Sequence, residues 1–354
     1  IPFCKTNIKS DIRRLWWVAY IMDRHVALSF NIRPQLTDQQ CQYHQLPCPD
    51  TIWASSTPIE RNRYSNSNAP RGAGYVVQNI DEFGLLVPLM SILGDILEYH
   101  HLRQHPTFNT NTQFLSEIRQ NIEQNLQIWN KSLQPHLALF ARPDPIQSYL
   151  YTTRDSSLYN SNNPALSAFP KIVVYAKHLY HCMHILLYGK MDFVSMYSDL
   201  EWQASPDFLA AGEHANRCAE LAESILAIDK SLFLMYRLFG TYLLQSSFFF
   251  LILAKKLGSD ADKLILKNCS INLQVLDAFV KVADIAYQRT FVGVLRRTLE
   301  RIVSGEKWEG GVLIDEELMQ YRWIGGYHGL WSKDRLVTSA NGAESRIRRR
   351  QDSM

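Results

Sequence analysis

Two stretches of this chain are apolar on every side of a helix, and they restrict its possible folds more than any other feature. From about Phe83 to His101 come Leu85, Leu86, Val87, Leu89, Met90, Ile92, Leu93, Ile96 and Leu97, with Pro88 placed to open or kink the run. From Leu238 to Ala254 the chain reads LFGTYLLQSSFFFLILA. A helix without a polar face is enclosed in a large helical core or crosses a membrane. The second run has about the minimum length for a span. It also holds Thr241, Gln245, Ser246 and Ser247, and no second span accompanies it. We read it as a buried core helix.

Around these two runs the apolar spacing is helical nearly throughout. Ser10 is placed to cap a first helix, with Asp11 suited to its N-terminal dipole. Ile12, Leu15, Trp16, Ala19, Met22 and Val26 then give one stripe. Trp17, Ile21 and Leu28 lie on other faces, which predicts a helix enclosed on several sides. It should stop before Pro34, because the residue preceding proline disfavours the helical region. Residues 112–132 carry a single stripe, Leu115, Ile118, Ile122, Leu126 and Trp129, and predict a surface helix resting on a core. Further helices are predicted over 168–188, 206–228, 232–257, 260–286 and 291–303. Residues 35–80 and 152–164 read as long polar loops, and 332–354 as a disordered basic tail. No run alternates as a strand does, and no repeat of 20–50 residues is present, so the expected fold class is all-α, with many helices and long polar loops.

The chain has 354 residues, enough for one large domain or two ordinary ones. A net charge of +3 is too small for nucleic-acid binding by electrostatics alone. The six cysteines form no close pair, which argues against a disulfide scaffold or a structural zinc site and for reduced, mostly buried thiols. There is no Gly-rich phosphate loop, no GxSxG and no HExxH, so no catalytic constellation is expected. Two histidine clusters bear weighing as metal sites. Glu98, His101 and His105 share a helix face, but a di-iron carboxylate site needs a second Glu-x-x-His pair. His178, His181, Cys182 and His184 lack carboxylate support. Both read more simply as polar groups of packed helices.

Asp23 and Arg24 stand inside an otherwise apolar helix, where charge is expensive unless paired. They predict a structural ion pair or hydrogen-bond network, with a ligand contact as the sharper alternative. Arg13 and Trp17, four apart, are placed to stack as cation and ring. The run RIRRR at 346–350 suits a localisation signal, a phosphate contact or, more simply, a solvated tail.

The string RRLWWVAYIMDRHVALSFNIRP, from Arg13 to Pro34, resembles the signature of the fungal-specific transcription factor domain. In that family a basic pair precedes Leu-Trp-Trp, then come Asp-Arg and Gly-Arg-Pro. Arg13, Arg14, Leu15, Trp16, Trp17, Asp23, Arg24, Arg33 and Pro34 keep the pattern, and Asn31-Ile32 replaces the Gly. Five later strings, taken in order, resemble the xylanolytic and arabinanolytic activators: PLMSILGDILEYHHLRQHP (88–106), HILLYGKMD (184–192), FGTYLLQSSFFFLILAKKL (239–257), AYQRTFVGVLR (286–296) and YRWIGGYHGL (321–330). The resemblance implies an all-α regulatory region, residues 1–331, in a nuclear protein that is not an enzyme. It implies that DNA is read by an N-terminal binuclear zinc cluster outside this chain, so zinc and DNA contacts are assigned to none of its residues. It further implies control of genes for plant-polysaccharide or pentose use by a sugar-derived inducer or a co-regulator protein, with a homodimer as one assembly. The rival readings are a helical interaction module or degenerate paralogue without DNA binding, a helical metal enzyme, and a membrane anchor at 238–254.

Overall fold

The computed structural model describes residues 5–55, 70–141, 164–232, 234–235, 239–257, 263–283 and 285–304. The fold is all-α. Twelve helices occur among the described residues: α1 (Lys5–Phe30), α2 (Asp38–Cys41), α3 (Asp50–Ser55), α4 (Glu82–Gln104), α5 (Thr112–Ala141), α6 (Pro164–Tyr188), α7 (Phe193–Ser198), α8 (Leu200–Gln203), α9 (Pro206–Ile228), α10 (Gly240–Leu257), α11 (Lys263–Ala283) and α12 (Ala286–Ser304). The chain divides into two compact units. The first holds residues 1–26, 33–183 and 224–235, and the second 27–32, 184–223 and 236–354.

The first unit is built on α4, which buries nearly every side chain from Phe83 to Leu97. Its N-cap is Asp81, whose carboxylate accepts from the Gly84 amide at 2.7 Å. Pro88 lies inside the helix and neither starts nor ends it. α5 lays Ile122, Leu126, Trp129 and Leu133 on this core. A buried indole needs an acceptor, and Trp129 donates to the Leu85 carbonyl at 3.1 Å. By length and composition α4 is the one helix among the described residues able to cross a membrane, and 83% of its apolar window is buried within the protein.

The buried face of α1 differs from the expected stripe. Trp17, Tyr20, Ile21, Arg24 and Leu28 are enclosed, at spacings of three and four. Ile12 and Leu15 are 59% and 67% exposed. The apolar count chose the wrong face because the true one carries a tyrosine hydroxyl and a guanidinium. The helix also begins at Lys5, so Ser10 lies inside it and is no cap. It ends as foreseen before Pro34. Asn31 takes a left-handed φ of 51° and Ile32 N–H bonds back to the Ala27 carbonyl at 3.1 Å. That six-to-one bond is a Schellman ending, in which asparagine is the common substitute for glycine.

The second unit centres on α10, which packs against α11, α12 and α7. It is buried from Gly240 to Lys255 apart from half-buried Leu253, polar residues included, as expected of a core helix. Phe248 meets Phe193 and Phe291 edge-on at 5.9 and 5.3 Å, and Phe249 lies 4.6 Å from Phe208. Gly212 on α9 is a close approach, since a Cβ there would sit 2.6 Å from the Phe249 ring. α10 starts at Gly240, eight residues later than the predicted start at 232. Leu232 takes a left-handed φ of 52°, which stops a helix there.

Some boundaries were legible and others were not. α9 begins at Pro206, where proline suits a first helical position. α5 runs past Pro135 to Ala141, well beyond the expected end. Residues 35–80 contain α2 and α3, so they are not irregular throughout. The loop 152–164 (apart from Pro164) and the tail 332–354 lie outside the described residues.

Candidate functional site

Asp23 and Arg24 clamp the chain where it reverses after α1. The Asp23 carboxylate accepts the Gln35 and Leu36 amides, both at 3.0 Å. Arg24 donates to the Leu36 carbonyl, to Asp23 at 3.1 Å and to Asp38 at 2.8 Å. Pro34 fixes its φ and lacks an N–H, so the turn presents the next two amides to Asp23. The partners are set in turn by α2. Thr37 and Gln40 form a reciprocal capping box that fixes Asp38 in the first turn.

The guanidinium of Arg24 is 2% exposed and lies 3.6 Å over the Tyr20 ring. Tyr20 also donates its hydroxyl to Asp38, and Ser91 on α4 donates to the other Asp38 oxygen at 2.8 Å. Burial raises the Tyr20 hydroxyl well above its ordinary range, so it remains a donor. Beyond it Asp95, bonded by Tyr75 at 3.0 Å, is pushed up to about 6 by burial. His25, fully enclosed, is lowered by burial to about 4. The structural ion pair expected from the sequence is therefore present, and its acceptors come from the segment read as a polar loop. No periodicity could have indicated Asp38 or Ser91.

The other motif residues fasten neighbouring segments. Trp17 donates its indole N–H to the Gln45 carbonyl at 2.8 Å, and Trp16 stacks on His44 at 4.4 Å. Arg14 pairs with Asp50 at 2.6 Å while its guanidinium lies 4.8 and 4.7 Å from the Trp53 and Phe83 rings. Burial lowers Arg13, and the nearby Cys48 acts in the opposite direction. Leu15 projects outward. Arg33 forms a two-pronged pair with Glu98, at 3.0 and 3.2 Å.

That last pair engages Glu98, which the sequence offered as a metal ligand. His105 in the same trio caps α4 with its backbone amide, which donates to the Leu102 carbonyl at 3.1 Å, while its ring nitrogen accepts the Thr107 amide at 3.2 Å. In the second histidine group, Cys182 meets His178 at 3.7 Å. His184 instead stacks face to face on His214, with centroids 4.0 Å apart. The second unit also carries an open groove of about 260 Å³ between α9 and α11. Four of the charged side chains lining it pair with one another, Arg217 with Glu220 at 2.8 Å and Lys267 with Glu223 at 3.3 Å.

One buried acid went unnoticed in the sequence. Asp229, 3% exposed, accepts from Tyr175 at 3.0 Å, from Ser231 at 3.1 Å and from the Leu234 amide at 3.3 Å. It fixes the turn after α9. The Asp-Lys-Ser polar run at 229–231, lodged between apolar segments, was the available signal.

The clamp falls within the segment that matches a known family. Residues 5–141 match the model of the fungal specific transcription factor domain. This chain contains a fungal specific transcription factor domain. Beyond that segment the likeness continues. The chain is 33% identical over 344 residues to the xylanolytic transcriptional activator xlnR of Aspergillus clavatus, covering 91% of this chain and 35% of the relative. It is 32% identical to the activator of that name in Emericella nidulans, covering 89% and 37%, and 30% identical to that of Aspergillus niger, covering 90% and 35%. The chain thus spans little more than a third of the length of these curated relatives. The family and the relatives are transcription factors and not enzymes. No solved structure matches the chain.

Proposed function

We propose that residues 1–331 are the regulatory portion of a fungal zinc-cluster transcription activator for genes of plant-polysaccharide or pentose use. The observation that carries this reading is the likeness to xylanolytic activators across 91% of the chain. In this reading DNA is bound by a binuclear zinc cluster outside these residues, zinc belongs to that cluster alone, and the protein acts in the nucleus. A sugar-derived inducer or a co-regulator protein supplies the signal, and a homodimer is one assembly this reading allows.

The nine motif residues have a structural or regulatory part in this scheme. Asp23 and Arg24 hold the segment 35–38 against α1, and a signal acts by favouring the held or the released arrangement. It can do so only through different affinity for the two. The test is a fusion of this chain to a heterologous DNA-binding domain, with a reporter gene in a fungal host grown with and without xylan or pentoses. Inducible output is expected, and Asp23→Ala should shift the ratio of induced to uninduced output. If Asp23→Ala alters neither stability nor output, the clamp has no regulatory part. A fusion that gives no output under any carbon source would favour an interaction module without an activating role.

A further inference from the structure

Arg14 is the hub of a second charged cluster in the first unit. Its partner Asp50 opens α3, and the Asp50 amide is bonded by Asp81 at 3.2 Å. The other Asp81 oxygen caps α4 through Gly84. Gly84 cannot carry a side chain, because a Cβ would lie 2.3 Å from the Asn79 carbonyl oxygen. The 79–84 turn is thus tight, and Asp81 and Glu82 at its end lie in the field of Arg14 and Asp50. The Trp53 and Phe83 rings both lie against the guanidinium, at 4.8 and 4.7 Å. One fixed positive charge therefore serves three carboxyls drawn from α3, the turn and α4.

We propose that this cluster is a proton-sensitive clasp, which holds α3 against α1 and α4 when a carboxyl is protonated and loosens as all three ionise. With three carboxylates charged, one guanidinium leaves two negative charges unbalanced in a half-buried site, and repulsion falls on Asp50, which anchors α3. One proton halves that imbalance without breaking the Arg14–Asp50 pair or the Asp81 cap. Glu82 takes it first. Burial, then the Asp50 charge, push Glu82 up to about 7 against the pull of Arg14, and Asp81 adds to the rise. Asp81 is raised by burial to about 6, held back by the Gly84 amide, with Asp50 raising it and the Asp50 amide and Arg14 lowering it. Among the described residues these are the charged groups acting on the pair. The sign follows. Each folded-state value lies above that of the free side chain, so the contribution to the clasped state is full at low pH and is lost as pH rises through 6 to 7.

The test is hydrogen exchange of the full chain at pH 6 and pH 8, corrected for intrinsic exchange, read on the peptide spanning α3 with the α5 peptide as reference. The Trp53 amide, bonded to the Pro49 carbonyl at 2.9 Å, is the natural reporter. Protection of α3 should be about tenfold greater at pH 6 than at pH 8, which is the change one such carboxyl produces over that interval. Glu82→Gln should make α3 equally protected at both. Equal protection in the unmodified chain, or an undiminished difference in Glu82→Gln, would overturn the clasp. If Glu82→Gln does not fold, Asp50→Asn serves instead. It removes the largest charge acting on Glu82 and must move the transition to lower pH, whereas an unmoved transition also overturns the proposal.

Discussion

The two units hold their polar groups in different settings. In the first, charged groups gather in part-buried clusters: Arg24 with Asp23 and Asp38, and Arg14 with Asp50. In the second the enclosed polar groups are mainly neutral, with Asp192 and Lys255 buried among them. Thr241, Gln245, Ser246, Ser247, Asn272 and Gln288 have no exposed surface, and they bond mostly to backbone carbonyls and to one another. Position accounts for the difference. Both charged clusters reach water: Asp38 is 40% exposed, and Arg14 and Asp50 are 21% and 26% exposed. Full enclosure would add a desolvation cost of several kcal/mol per ion, whereas an amide or hydroxyl needs only a partner of ordinary geometry.

This contrast can be broken by substitution. The largest effect is expected at Arg24. Arg24→Met keeps the stem and removes the charge, leaving Asp23 and Asp38 facing each other. Unfolding in urea should show a loss of about 3 kcal/mol. A loss below about 1 kcal/mol would mean that the clamp is no more than a surface pair. The counterpart in the second unit is Asn272, whose side-chain amide donates to Ser246 at 3.3 Å. Ser246 still bonds the Leu243 carbonyl without it. Asn272→Leu should therefore cost about 1 kcal/mol or less, and a larger loss would show that the neutral seam is as demanding as the charged one. The smallest change belongs to Arg33, more than half exposed in its pair with Glu98. Arg33→Ala should move the unfolding midpoint by less than about 0.5 kcal/mol equivalent, although it alters a motif residue as directly as Arg24→Met does.

Titration divides by the kind of group. Carboxyls are raised by burial, as at Asp95, while enclosed histidines, His25 in the first unit and His214 in the second, are lowered by burial to about 4. Acidification from neutrality relieves the first kind of group. It strains the second, whose contribution to stability falls as pH drops below the ordinary histidine value.

The helical class and the family likeness were legible because they rest on local repetition and on ordered strings. The all-round apolar character of α4 and α10 was legible for the same reason. The face of α1 was not. Counting apolar residues sets Arg24 and Tyr20 aside, and their burial depends on acceptors well along the chain, at Leu36 and Asp38. The Asp23–Arg24 pair could be flagged as costly without its partners being named. α10 was drawn too long because nothing local in Leu232 announces a left-handed residue. Asp38 was hidden by its setting in a polar stretch, where one acid looks like any other.

The clamp also bears on the order in which the chain assembles. Its main bonds join residues 12 to 14 apart: Arg24 to Leu36, Asp23 to Leu36 and Arg24 to Asp38. The tie from Ser91 to Asp38 spans 53 positions, and that from Trp129 to Leu85 spans 44. Closing a short loop costs less entropy and takes less time than closing a long one. The reversal after α1 is therefore suited to form as a local nucleus, onto which α4 later docks through Ser91. A motif that looks like a mark of ancestry is then also the place where this part of the chain begins to fold.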